Sequence, residues 1–246
     1  MQKNIRYALL TILCCLLSAT ILFGCSGEQK PQIKTVEITM QELTQQVETD
    51  SGVLLMDIKA TYPVLTASVE SELIAEFNKL FQERAEMYIQ GVVDTYLQEG
   101  SENNVVEHYL ANPEGFHPYG FEFSAEVTYQ QNGILSMIWS QYSYLGGAHP
   151  YTAYDGETYD LNTGEPLSLG DLLEMKDDKA YALVEQRYQG VLQAHPADFF
   201  ENASQFVSEN IKNIEYYLDQ DGVNVFFQVY DVAPYAAGRI DIIIGE

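Results

Sequence analysis

Between Leu73 and Tyr96 the apolar residues Leu73, Ile74, Phe77, Leu80, Phe81, Ala85, Tyr88, Ile89, Val92, Val93 and Tyr96 recur at helical spacing over about seven turns. A helix spanning about 70–98 with a stripe of this kind must bury it. The segments on either side alternate as strands do, so the expected arrangement is one long amphipathic helix packed on a sheet. Glu72, Glu76, Lys79, Glu83, Glu86 and Asp94 fall on the opposite face and read as its solvated side.

The strands follow from period-two alternation and turn chemistry. Val36, Ile38 and Met40 alternate in one arm and Leu54, Met56 and Ile58 in the next, with Asp50-Ser51-Gly52 as the turn and Tyr62-Pro63 ending the second arm. Gly100 to Gly120 is polar, carries Pro113 and Pro118, and marks a boundary between two sub-regions. Beyond it Phe121, Phe123, Ala125, Val127 and Tyr129 alternate up to Asn132-Gly133. Ile134, Ser136, Ile138, Ser140, Tyr142 and Tyr144 then line one face of the return arm. Asn-Gly between alternating runs is a strong hairpin signal.

A glycine-rich loop, Gly146-Gly147-Ala148-His149-Pro150, leads to a further strand at Tyr151 to Asp160 and a turn at Asn162-Thr163-Gly164. Two shorter helices are expected near Asp177–Gln193 and Ala203–Asn213, then strands at Tyr216–Leu218, Val223–Tyr230 and Ile240–Ile244, the first two joined at Asp221-Gly222. Strands and helices come in blocks without regular alternation. The class is therefore α+β with a largely antiparallel sheet.

The N-terminus reads as an export signal. Lys3 and Arg6 precede a nearly uncharged run from Tyr7 to Phe23, closed by Leu22-Phe23-Gly24-Cys25, the pattern of a lipoprotein signal peptide. The run is short for a membrane span, which needs about 20 apolar residues, although an uncleaved anchor helix is the alternative. Residues 1–24 are then the signal, Cys25 takes a diacylglycerol, and 25–34 form a lipidated tether at the outer surface of the cell membrane. Of the three cysteines, Cys14 and Cys15 lie inside the signal and Cys25 is the lipid acceptor. The mature chain would have no disulfide and no thiolate chemistry, so its fold must rest on the hydrophobic core.

Lys and Arg number 12 against 36 Asp and Glu, a formal net charge of −24. Such a surface repels nucleic acid and anionic wall polymers and would steer a cationic protein towards it. Acidity that only keeps an exported protein soluble accounts for the same number.

Chemistry-bearing patterns are sparse. The four histidines, His108, His117, His149 and His195, show no metal-ligand spacing, and no cofactor or metal is expected. His149 stands out because Gly146 and Gly147 would allow close backbone approach beside it, which favours a binding or structural role over a catalytic one. Asp219-Gln220-Asp221-Gly222 has the opening of a calcium loop. Val223 and Val225 then occupy ligand positions, so a hairpin turn accounts for it better. Among the 18 tyrosines, Tyr142, Tyr144, Tyr151, Tyr154, Tyr159, Tyr230 and Tyr235 flank the glycine-rich loop or the last strands, as an interface or as half-buried strand residues.

Four motifs in order carry a resemblance: Tyr144-Leu145-Gly146-Gly147-Ala148-His149, Asp160-Leu161-Asn162-Thr163-Gly164, Leu167-Ser168-Leu169-Gly170-Asp171-Leu172-Leu173, and Val229 to Gly238. Here the chain resembles the extracellular domain of RsiV-type anti-sigma factors, a domain of unknown function also found in many lipoproteins. The part upstream, with Tyr62-Pro63 leading into the long helix, is similar to the N-terminal domain of PdaC-type peptidoglycan deacetylases. The resemblance implies a PdaC-like sub-domain over 35–112 and an RsiV-like domain over 120–246.

RsiV-type domains bind lysozyme, and the bound lysozyme licenses proteolysis that frees a sigma factor. Six residues precede the apolar run here, so a cytoplasmic sigma-binding domain is not expected. PdaC-type enzymes carry their chemistry in a separate metal-dependent domain with a His-x-x-x-His spacing, which this chain lacks. The expectation is a non-catalytic, lipid-anchored binding or sensor module whose ligand is a cationic protein such as lysozyme, or else peptidoglycan. Gly146, Gly147, His149, Pro150, Pro234 and Tyr235 are the expected contacts, being on irregular segments beside strands. The alternatives are an envelope glycan enzyme using Asp155, Glu157 and Asp160, or a structural envelope lipoprotein.

Overall fold

The computed structural model describes residues 32–69 and 71–244; the expected signal peptide, Cys25 and most of the tether lie outside these residues. Five strands form the main sheet in the order β1-β2-β3-β4-β5: β1 (Val36–Glu48), β2 (Leu54–Ala67), β3 (Tyr119–Gln131), β4 (Ile134–Tyr144) and β5 (Tyr151–Asp160). All neighbours run antiparallel except β2 and β3, which pair in parallel across the connection that holds α1 (Glu72–Tyr96) and α2 (Val105–Ala111). A second sheet, β6 (Glu215–Leu218), β7 (Val223–Phe226) and β8 (Ile242–Ile244), is antiparallel in that order. The fold is α+β and mostly antiparallel, as the block pattern indicates.

The stripe on α1 does what its spacing requires. Ile74, Phe77, Phe81, Ala85, Ile89 and Val92 are buried against β2, β3 and β4, where they meet Leu55, Ile58, Phe123, Leu135, Met137 and Trp139. The indole of Trp139 is sandwiched, stacked on Phe123 at 4.8 Å between centroids and tilted against Phe81 at 5.7 Å. Leu80, placed on the stripe by its spacing, is instead 45% exposed.

The second face of the main sheet is also covered. Ile138 packs on Tyr217 and Phe226 of the smaller sheet, and Ser136 Oγ bonds Thr158 Oγ1 at 2.7 Å and accepts the Leu218 N–H at 2.9 Å. Leu135 to Trp139 are therefore buried on both faces, although only one face was expected to be lined. On the outer side of the small sheet lie α4 (Asp177–Ala194) and α5 (Ala203–Asn210), after the four-residue α3 (Leu169–Leu172). Val184, Tyr188 and Val207 are packed there against Val225, Phe227 and Ile244.

Four expectations need correction. β2 does not end at Tyr62-Pro63 but continues to Ala67. Its pairing with β3 stops at Thr61–Ser124, so Pro63 sits where that side of the strand has no ladder to donate to. Just beyond, the Asn78 amide of α1 accepts the Leu65 N–H at 2.7 Å and donates to its carbonyl at 2.8 Å, standing in for the missing strand. The polar stretch after Gly100 contains α2, capped by Asn104, whose side chain accepts the Glu107 N–H. β7 stops at Phe226 rather than running to Tyr230, and the last strand begins at Ile242 rather than Ile240. By contrast, Asn132 and Gly133 take φ of 55° and 79°, the two left-handed residues that the Asn-Gly hairpin demands.

Candidate functional site

β4 and β5 end as a pair at Ser143 and Tyr151, and the loop between them projects beyond the sheet with Leu145 to His149 exposed and Pro150 half-buried. Gly146 turns the loop at φ 79°, a conformation that disfavours any side chain. Its contribution is this turn, since a Cβ there would only graze His117 at 4.0 Å, and nothing lies within 4 Å of one at Gly147.

The C-terminal segment reaches the same place by another route. After β7 the Gln228 side chain bonds both backbone groups of Tyr154 on β5, accepting the N–H at 2.8 Å and donating to the carbonyl at 2.5 Å. The segment is thus clamped to the edge of the main sheet. Asp231 closes a tight turn by accepting the Gln228 N–H at 3.0 Å while its own N–H donates to the Gln228 carbonyl at 3.1 Å. Burial raises the Asp231 carboxyl above its ordinary range. At the tip of this turn Tyr230 takes φ 76°, a strained conformation for an aromatic residue, and is 48% exposed. Buried Val232 and Ala233 anchor the next stretch, and exposed Pro234 leads into one 3-10 turn at Tyr235–Ala237.

Strain at Tyr230 and the turn at Gly146 bring three rings together. His149 stacks on Tyr235 with centroids 4.2 Å apart and planes 21° from parallel, and Tyr230 lies 6.1 Å from the imidazole and 5.5 Å from Tyr235. His149 Nδ1 lies 2.9 Å from the Pro150 carbonyl oxygen, so it carries the proton and donates it. Nε2 faces the Tyr230 hydroxyl at 3.4 Å. Tyr151, 52% exposed, and Leu145, 42% exposed, extend the apolar surface at the strand ends. The result is a corner of stacked rings with polar tips, the composition found at the centres of protein interfaces. Of the expected contact residues, His149 and Tyr235 touch, Pro150 fixes the imidazole, Gly146 shapes the loop, and Gly147 and Pro234 flank it exposed.

Asp155, Glu157 and Asp160 form no common site. Asp155 and Glu157 share one face of β5, and Asp160 belongs to the other parity and caps a turn by accepting the Asn162 N–H at 2.7 Å. Glu157 is fully engaged: Arg84 donates to its two oxygens at 2.8 and 2.6 Å, and Trp139 Nε1 and the Tyr159 hydroxyl donate at 3.0 and 2.9 Å. A carboxyl the sequence did not single out sits beside them. Glu215 at the start of β6 accepts the Gly156 N–H at 3.1 Å and is pushed up to about 7, first by burial and then by the charges of Asp155 and Glu157. Asp155 is raised by burial and by Glu157. Only packing of the two sheets reveals Glu215; no local pattern marks it. Among the described residues no group of three or more His, Cys, Asp or Glu is placed to hold a metal ion.

Residues 47–152 match the model of the family described as Deacetylase PdaC, and residues 171–245 that of a protein of unknown function, DUF3298. The chain joins a PdaC-type region to a DUF3298 region. Among the similar solved structures are two of DUF3298 family proteins. The one from Bacteroides fragilis NCTC 9343 has a TM-score of 0.63 at 17% identity, covering 87% of this chain and 92% of that one. The one from Pseudomonas aeruginosa PAO1 has a TM-score of 0.50 at 16% identity, covering 85% and 90%. At these identities the likeness is one of fold. No curated protein matches the chain. The aromatic corner draws on both matched regions: His149 belongs to the PdaC-type region, and Tyr230 and Tyr235 to the DUF3298 region.

Proposed function

We propose that the chain is a non-catalytic binding module displayed at the outer surface of the cell membrane on lipid at Cys25, and that its ligand is a cationic wall-active protein such as lysozyme. The observation that carries this reading is the corner built from exposed His149 and Tyr230 and half-buried Tyr235, where two separate segments are tied to β5 and hold the rings in place. Rings immobilised before contact lose little entropy on binding, which is what an interface anchor needs. The excess of 36 acidic over 12 basic residues supplies the attraction for a cationic partner. The RsiV-type resemblance supports the same ligand class.

The arrangement at β5 favours contact over reaction. Glu157 has its oxygens filled by Arg84, Trp139 and Tyr159, so it stabilises the packing of α1 on the sheet and offers no free acid or base. Capture of hen lysozyme by the intact chain at low and at high salt tests the proposal. Retention at low salt that weakens as salt rises is expected, and no retention at low salt refutes it.

A further inference from the structure

We propose that the groove between α4 and the outer edge of β8 is a second binding site, which takes an extended acidic segment of another protein by strand addition. It rests on none of the residues of the His149 corner.

β8 ends its sheet. Its one strand neighbour is β7, and among the described residues no backbone hydrogen bond reaches its far side. An edge of this kind presents unpaired N–H and C=O groups, and proteins ordinarily blunt it with charge, proline or a covering element. Here the strand is three isoleucines, Ile242 and Ile244 are buried under α4, and Ile243 is 52% exposed.

The covering element stands back from this edge. α4 buries Val184, Tyr188 and Leu192, while the next stripe of the helix, Leu183, Arg187 and Val191, faces an open groove of about 570 Å³ whose other wall is Ile242 and Ile243. Gly190 lies on the same side, and no atom comes within 4 Å of where its Cβ would be. A helix set back from an unpaired strand edge leaves room for one extended chain. The ladder would give that chain its affinity, and alternate side chains would point at the helix.

Charge selects the occupant. Arg187 is exposed, lines the groove and makes no ion pair among the described residues, in a chain with three acidic residues for each basic one. His195 follows about two turns later at the end of the helix as a second donor. A guanidinium fork beside a strand edge matches a carboxylate on a side chain of the added strand. Elsewhere this surface repels such a peptide, so the groove is where an acidic segment can dock.

The test is a fluorescence anisotropy titration of the intact chain at physiological salt with labelled acetyl-Glu-Val-Glu-Val-Glu-Val-amide. Saturable binding is expected, competed by the unlabelled peptide and at least about tenfold less well by its lysine counterpart or by a version N-methylated at alternate residues. Arg187→Glu and the milder Arg187→Gln, both on the exposed side of the helix, should each weaken binding without changing the melting curve. Competition by the N-methylated or lysine peptide equal to that of the parent would overturn the proposal, as would the absence of saturation. A dimer in solution that Ile243→Lys dissolves would also overturn it, by assigning the groove to a second copy.

Discussion

The imidazole of His149 and the phenol of Tyr235 lie ring on ring, 4.2 Å apart at their centroids, although one comes from the PdaC-type region and the other from the DUF3298 region. The contact therefore needs both regions folded against each other, and Gln228 on the Tyr154 backbone provides the alignment. Tyr235→Ala should cost about 1 kcal/mol of stability, the value of one aromatic pair. Binding of a cationic ligand should fall at least about tenfold, as for an interface anchor. Thermal unfolding and calorimetric titration of the same sample separate the two effects.

Glu215 makes stability depend on pH. The folded carboxyl keeps its proton up to about 7, whereas the unfolded one releases it near 4.5. Between these values the native state holds more protons, so stability falls as pH rises through that window and is highest below it. The loss is on the order of 3 kcal/mol at most. Glu215→Gln keeps an acceptor for the Gly156 N–H and removes the charge. Urea unfolding at pH 5 and pH 7.5 should show the variant more stable than the parent at the higher pH and similar to it at the lower. A parent whose stability rises over this interval by an amount that Glu215→Gln abolishes would contradict the account.

Gly156 sets the spacing of the two sheets. A Cβ there would lie 2.1 Å from the Tyr216 carbonyl oxygen and 2.7 Å from its carbon, both backbone atoms that cannot turn aside. Gly156→Ala should therefore cost about 3 kcal/mol or more and lower Tm by about 10 °C. Melting within a degree or two of the parent would mean that the sheets are not held this closely.

Cys25 is proposed to hold the protein on the membrane. Cys25→Ser should move it from the membrane fraction to the soluble fraction, and intact mass measurement of the parent should show the added diacylglycerol. A parent already soluble would remove the surface-display part of the proposal.

The stripe of α1 and the Asn132-Gly133 turn were legible in sequence because each rests on local rules, helical period in one case and left-handed φ in the other. Pro63 misled because its cost depends on where the neighbouring strand stops, which is not local information. Tyr230 read as the end of a strand because alternation continues through Val223 to Val229. Instead the chain leaves β7 at Phe226 to clamp onto β5 through Gln228. His149 and Tyr235 could each be picked out by their irregular surroundings, but their stacking could not, since it depends on the clamp. Glu215 carried no signal, because its burial is made by the meeting of two sheets.

The most direct test is an NMR titration that follows the His149 imidazole nitrogens in the intact chain as hen lysozyme is added. A binding site at this corner predicts that the His149 resonances shift or broaden with saturation, that those of His195, at the C-terminal end of α4, do not, and that Tyr235→Ala abolishes the change. Lysozyme that leaves His149 unperturbed at saturating concentration would contradict it.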